Sequence, residues 1–74
     1  MFIDPNLPLG RRLKILRIAR GLRQRDLAAS AGLSISVVSM IETGDRRPRD
    51  SELHAILEVL GVRSEDVDPP KRTL

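Results

Sequence analysis

Apolar residues recur every three or four positions in several stretches of the chain, and glycines or prolines separate those stretches. This is the spacing of one face of an α-helix, so the pattern predicts an all-α fold. The inward faces of the first and the last long stretch comprise Leu9, Leu13, Leu16, Leu53, Ile56, Leu57 and Leu60. Gly21 and Gly61 follow these two stretches, at positions that suit the end of a helix.

The segment from Leu22 to Gly44 organises the rest of the chain. Gly32 lies between two short periodic stretches, where the chain must turn sharply. Ser34 suits the N-cap of the second stretch, because its hydroxyl oxygen can accept from a free backbone N–H group. Val38 and Ile41 then form the inward stripe of that helix. Two short helices joined by a glycine-containing turn predict a helix-turn-helix.

Two isoleucines in the first stretch do not fit its inward face. Ile15 and Ile18 project to the opposite side, next to Arg11. They indicate either a surface for a partner or a second copy, or simply isolated apolar residues, which are common on protein surfaces.

The composition excludes several kinds of site. Phe2 is the single aromatic residue, so the core must be aliphatic and base stacking on aromatic side chains is disfavoured. The chain has no cysteine, which excludes disulfides and thiolate metal sites. His54 is the only histidine and projects away from the inward face. We therefore expect no metal, no cofactor and no catalytic residue. At 74 residues the chain is one domain.

No apolar run approaches the ~20 residues that a membrane-spanning helix needs. The N-terminal sequence MFIDPNLP has an acid and two prolines where a secretory signal requires a basic and then an apolar segment. These features predict a cytoplasmic protein without membrane contact.

The net charge of +3 is unevenly distributed. Through Arg49 there are ten basic residues and four acids, a net of +6; from Asp50 onward there are three basic residues and six acids, a net of −3. Eleven of the thirteen basic residues are arginines, whose planar guanidinium suits phosphate. The positive part contains the predicted helix pair, which suits a polyanionic partner. The alternative is an ordinary solvated charged surface, which any small domain needs.

An ordered set of sequence pieces covers about residues 9–67: LGRRLKILRIARGLRQRDLAASAGLS, VVSMIETG, RRP and LHAILEVLGV. In this combination the chain resembles the XRE-type helix-turn-helix family, with the fold of phage lambda-type repressors and Cro proteins. The resemblance implies a compact all-α bundle of five short helices, at about 8–20, 24–31, 35–43, 50–60 and 64–67. Residues 1–8 would be an N-terminal extension, 9–67 the DNA-binding domain, and 68–74 a flexible tail.

The resemblance also implies which residues bind DNA, with helix 3 in the major groove and helix 2 across the backbone. The base-contacting residues would be Ile35, Ser36, Val37, Ser39 and Met40. The phosphate-contacting residues would be Arg23, Gln24, Ser34, Arg46, Arg47 and Arg49. Arg17 and Glu42 would form a structural ion pair that ties helix 1 to the end of helix 3.

This chain departs from the family pattern in two places. The base-contacting positions commonly hold amides or basic residues that bond base edges, whereas this chain has apolar residues and serines there. Apolar groups can contact the thymine methyl group, so we expect thymine-rich half-sites and much affinity from phosphates and DNA shape. The second departure is Arg23, which replaces the usual N-cap threonine or serine of helix 2 at an expected cost of ~1 kcal/mol.

Two functions remain open on this basis. The first is a repressor-like, sequence-specific regulator of transcription that binds operator DNA as a homodimer on an inverted repeat. The second is a protein-interaction module on the same fold, which binds a toxin, an anti-repressor or RNA polymerase through an apolar helix 3 or the Ile15/Ile18 face. The candidate dimer surfaces are residues 62–67, Ile15 with Ile18, and Phe2 with Ile3. An enzyme is disfavoured, because the acids have structural explanations and no catalytic constellation is present.

Overall fold

The structure, a computed structural model, describes residues 6–63. These residues form four helices: α1 (Leu9–Ala19), α2 (Gln24–Ala31), α3 (Ile35–Thr43) and α4 (Asp50–Leu60). The bounds of α2, α3 and α4 agree with the predicted ones, and α1 is one residue shorter at each end because Pro8 and Arg20 are its caps. The described part thus contains four helices and not five. The expected fifth helix at 64–67, the tail at 68–74 and residues 1–5 of the extension lie outside the described residues.

The core is aliphatic, as the composition requires. α2 packs against α3 and α4, and α1 packs against α3. Between these helices lie the buried apolar side chains of Leu13, Leu16, Leu27, Ala28, Val38, Ile41, Ile56, Leu57 and Leu60. Leu9, Leu53 and Val62 pack partly buried at its edge. Because α2 packs against both α3 and α4, the shared core fixes the orientation of the α2–α3 pair.

The turn between α2 and α3 depends on Gly32. Its φ is +71°, a left-handed conformation that glycine adopts without the penalty of a Cβ atom. The N–H of Leu33 donates to the carbonyl oxygen of Ala28 at 2.8 Å, which closes the end of α2. The chain then enters α3 within two residues, and the predicted helix-turn-helix is confirmed.

Gly10 brings the start of α1 into direct contact with the end of α3. It is buried, and a Cβ atom there would overlap the carbonyl oxygen of Ile41 and lie 2.9 Å from that of Glu42. A glycine in a helix is usually unfavourable, so a contact of this kind explains why one is present. The pattern of apolar residues gave Gly10 no role.

No side-chain oxygen caps the start of α2, but other hydrogen bonds stabilise its first turn. The Oδ2 atom of Asp26 accepts from the backbone N–H of Arg23 at 2.9 Å and from Arg23 Nε at 3.3 Å. Asp26 also lies where the positive end of the helix dipole favours a carboxylate. These bonds offset part of the cost expected for Arg23. α4 starts in the same way, since Glu52 Oε1 accepts from the backbone N–H of Arg49 at 2.9 Å.

Changing Asp26 to asparagine is expected to weaken the dependence of stability on acid pH. The backbone N–H of Arg23, with its guanidinium group, holds the pKa of Asp26 below its ordinary value of 3.8. The resulting contribution to stability is present above that value and is lost as the pH falls through the lowered pKa. The measurement is the free energy of unfolding in urea between pH 5 and pH 2. The variant Asp50→Asn is the control, since it also removes one acidic side chain. An Asp26→Asn variant with the same acid dependence as the wild type contradicts this account.

Candidate nucleic-acid interface

α3 has an inward stripe and an outward side. Val38, Ile41 and Glu42 are buried, whereas the side chains of Ile35 and Met40 are 52% and 39% exposed. Ser36 is also exposed, and it lies between Ile35 and Met40 in the sequence. An outward side with these three residues offers van der Waals contact and one hydroxyl group. It has no amide or guanidinium that could form paired bonds to a base edge.

The remaining predicted contact residues of this segment are less available. Val37 and Ser39 are only partly exposed. Ser34 is the N-cap of α3, and its Oγ accepts from the N–H of Val37 at 3.1 Å, which confirms the predicted cap. The hydroxyl hydrogen of Ser34 remains able to donate.

Arg17 and Glu42 form a buried pair with two hydrogen bonds. Arg17 Nε donates to Glu42 Oε2 at 2.7 Å, and Nη2 donates to Oε1 at 3.1 Å. Their side chains are only 9% and 3% exposed. Arg17 Nη1 also donates to the carbonyl oxygen of Leu22 at 2.8 Å. The pair therefore joins α1, the α1–α2 connection and the end of α3.

Gln24 extends this network to the first residue of α2. Its Nε2 donates to Glu42 Oε1 at 3.1 Å. An amide nitrogen carries two hydrogens, so one is used here and the second remains for an outside acceptor. Glu42 thus orients the side chain that was predicted to contact a phosphate.

The three arginines of the α3–α4 loop differ in their surroundings. Arg46 Nη2 donates to Glu52 Oε2 at 2.7 Å, in a partly buried pair. Arg47 and Arg49 are exposed, and within residues 6–63 their side chains have no ion-pair partner. Arg23, the other predicted arginine, pairs with Asp26 at 3.3 Å on the surface, where such pairs contribute little. Of the four predicted phosphate-contacting arginines, Arg47 and Arg49 are therefore the ones most available to a phosphate.

The structure adds cationic residues of α1 that the sequence reading did not assign. Arg11 and Lys14 line a cleft of about 350 Å³ together with Gln24 and Thr43. Arg12 lines a second cleft of about 350 Å³, between the start of α1 and the α3–α4 loop. Gly10 is what brings these parts of the chain together, and a contact between distant backbone segments leaves no local sequence signal.

The Ile15/Ile18 surface is smaller than the helical projection suggests. Ile18 is 58% exposed, but Ile15 is only partly exposed. Of the other candidate dimer surfaces, Val62 packs against the core, while Phe2, Ile3 and residues 64–67 lie outside the described residues.

His54 is exposed and lies 3.3 Å from Glu58, one turn along α4. Between residues 6 and 63, no group of three or more His, Asp or Glu side chains is arranged to hold a metal ion. In the same range, no helix is long and apolar enough to cross a membrane.

Comparisons with known proteins find a helix-turn-helix domain and similarity to two regulators. A family model described as a helix-turn-helix domain matches residues 8–69. The chain is 30% identical over 63 residues to the "Uncharacterized HTH-type transcriptional regulator YazB" of Bacillus subtilis (strain 168), covering 85% of this chain and 91% of that protein. It also resembles the crystal structure of the clp gene regulator ClgR from Corynebacterium glutamicum. That match has a TM-score of 0.79 and 26% identity, and it covers 88% of this chain and 69% of the other.

Proposed function

The chain belongs to the helix-turn-helix domain family, and on that basis we propose that it is a DNA-binding regulator of transcription of the XRE type. It acts by binding and not by catalysis, and it works in the cytoplasm. α3 enters the major groove with its outward side, and α2 crosses the sugar–phosphate backbone.

The observation that carries this proposal is the combination of an exposed side of α3 with a polar amide at the start of α2 and unpaired arginines in the loop after α3. Gln24 lies at the start of α2, and Arg47 and Arg49 lie in the loop after α3. The inward stripe of α3 holds the helix in the core, which leaves Ile35, Ser36 and Met40 directed outward. Phosphate contacts on either side of a helix are the arrangement that fixes its register in a groove.

The outward side of α3 favours contacts with thymine methyl groups. Ile35 and Met40 provide apolar surface, and Ser36 can donate to or accept from a base. Such a helix makes few bonds to bases, so phosphate contacts and DNA shape supply much of the affinity. Two copies on an inverted repeat double the number of contacts, and the bound dimer then blocks or recruits RNA polymerase according to the position of the operator.

Two substitutions are expected to affect DNA binding in different ways. Arg49→Ala should weaken binding about equally for all sequences and lower the slope of log K against log salt by ~1, because one phosphate contact is lost. Met40→Ala should leave that slope unchanged and alter the preferred sequence. The measurement is a salt titration on duplexes selected from a random pool, with the mass of the complex reporting stoichiometry.

If both variants change the salt slope and the sequence preference alike, α3 does not read the groove. If the folded wild-type protein binds no duplex at ~50 mM salt, the regulator proposal is wrong. In that case the exposed apolar side chains of Ile18, Ile35 and Met40 favour the second function, a module that binds another protein. Their replacement by alanine would then abolish capture of that partner.

A further inference from the structure

We propose that the cleft between the start of α1 and the α3–α4 loop binds a phosphate group, held by Arg12 and Arg47. This cleft is separate from the outward side of α3, and none of the predicted contacts involves α1. Where the phosphate belongs to DNA, the inference rests on the proposed function and adds α1 to the interface. Where it is a free phosphate, the inference stands by itself.

The shape of the cleft suits a compact anion. Its volume is about 350 Å³, and its walls include Gly10 and Gly44 from the crossing of α1 and α3. Gly44 is exposed and carries no side chain, so a phosphate can come close to the backbone there. Arg12 of α1 lines it together with Arg46 and Arg47 of the α3–α4 loop.

The charge of the cleft is positive. Three arginines line it, and one of them, Arg46, is paired with Glu52. Arg12 and Arg47 have no carboxylate partner among residues 6–63. Two guanidinium groups that line one cleft can together donate to the several oxygens of a phosphate.

Arg12 carries a donor that this part of the chain leaves without a partner. Its Nε is buried, and no acceptor within residues 6–63 bonds to it. A buried N–H group without an acceptor is unfavourable and is rare in folded proteins. A phosphate oxygen placed against the edge of the guanidinium would supply the missing acceptor, at the cost of a small side-chain shift.

The test has one arm with small anions and one with DNA. Inorganic phosphate and pyrophosphate are titrated into the ¹⁵N-labelled full chain at constant ionic strength. We expect saturable amide shifts at Gly10, Arg12 and Gly44. Arg12→Gln should bind about tenfold more weakly, since a charged hydrogen bond is lost. If Arg12→Gln unfolds the protein, Arg47→Gln tests the second arginine of the cleft at an exposed position. Arg20→Gln removes the same charge at the opposite end of α1 and should bind as the wild type does.

The DNA arm measures the salt slope of duplex binding for the same variants. Arg12→Gln should lower it by about 0.9 and Arg20→Gln should not, if a DNA phosphate occupies the cleft. Anion binding in the cleft with unchanged slopes identifies a free phosphate as the occupant, which also supports the inference. Unchanged slopes together with no shifts in the cleft overturn it. If neither the wild type nor any variant binds duplex DNA, the regulator proposal fails. The titration with small anions then still tests whether the cleft binds phosphate.

Discussion

Replacing Glu42 with alanine is expected to lower the free energy of unfolding by about 3–5 kcal/mol. The charged side chain of Arg17 would remain buried. Of its described hydrogen bonds, only the one to the carbonyl oxygen of Leu22 would remain. Gln24 would lose its acceptor as well. At about 0.05–0.15 kcal/mol per residue, a domain of 74 residues has a free energy of unfolding of about 4–11 kcal/mol, so this loss removes a large part of it. Urea unfolding followed by circular dichroism measures the change.

The matched control removes both charges at once. The double variant Arg17→Met with Glu42→Leu should recover most of the lost stability, because an apolar pair of similar size strands no charge. Recovery assigns the loss to the isolated arginine. A double variant as unstable as Glu42→Ala would mean that the pair itself is strongly stabilising. A loss below about 1 kcal/mol in Glu42→Ala would contradict the buried state of Arg17.

Gly10→Ala is expected to destabilise the protein by about 1–3 kcal/mol, although alanine is the better helix former by ~1 kcal/mol. The new methyl group would collide with the carbonyl oxygens of Ile41 and Glu42, which are backbone atoms and cannot rotate away. α1 must therefore move off α3, and Arg12 moves with it. Thermal unfolding gives the loss of stability, and amide shifts at residues 41–44 report the displacement.

Gly21→Ala is the comparison for this prediction. Gly21 has a φ of +71° and open space around it, so alanine there bears only the cost of a left-handed backbone. It should be destabilising without shifts at residues 41–44. If Gly10→Ala is as stable as the wild type, α1 and α3 do not cross as closely as described.

The helices could be predicted because their signals are local. Periodic apolar residues, Gly32, and Ser34 as a cap define α2 and α3 within the stretch itself, and the structure has the same bounds. The pairing of Arg17 with Glu42 was available only through the family resemblance, since 25 residues separate the two.

The contacts that sequence reasoning missed depend on how helices cross. The sequence around Gly10 does not indicate its role, because the atoms it contacts belong to residues more than thirty positions away. Arg46 was predicted only to contact a phosphate, whereas its guanidinium donates to the carboxylate of Glu52 in the first turn of α4. Helical projection also overstated Ile15, because a projection describes one helix in isolation and ignores the neighbours that cover it.

The two sides of α3 have a consequence for how such a protein diversifies. Ile35, Ser36 and Met40 contribute nothing to the buried stripe, so substitutions there open no cavity and strand no charge. Under the proposed function, mutations at these positions can change the DNA sequence that is bound, while selection for folding acts on Val38, Ile41 and Glu42. Under the same proposal, copies of such a protein can come to bind different DNA sites while each of them keeps its folded state.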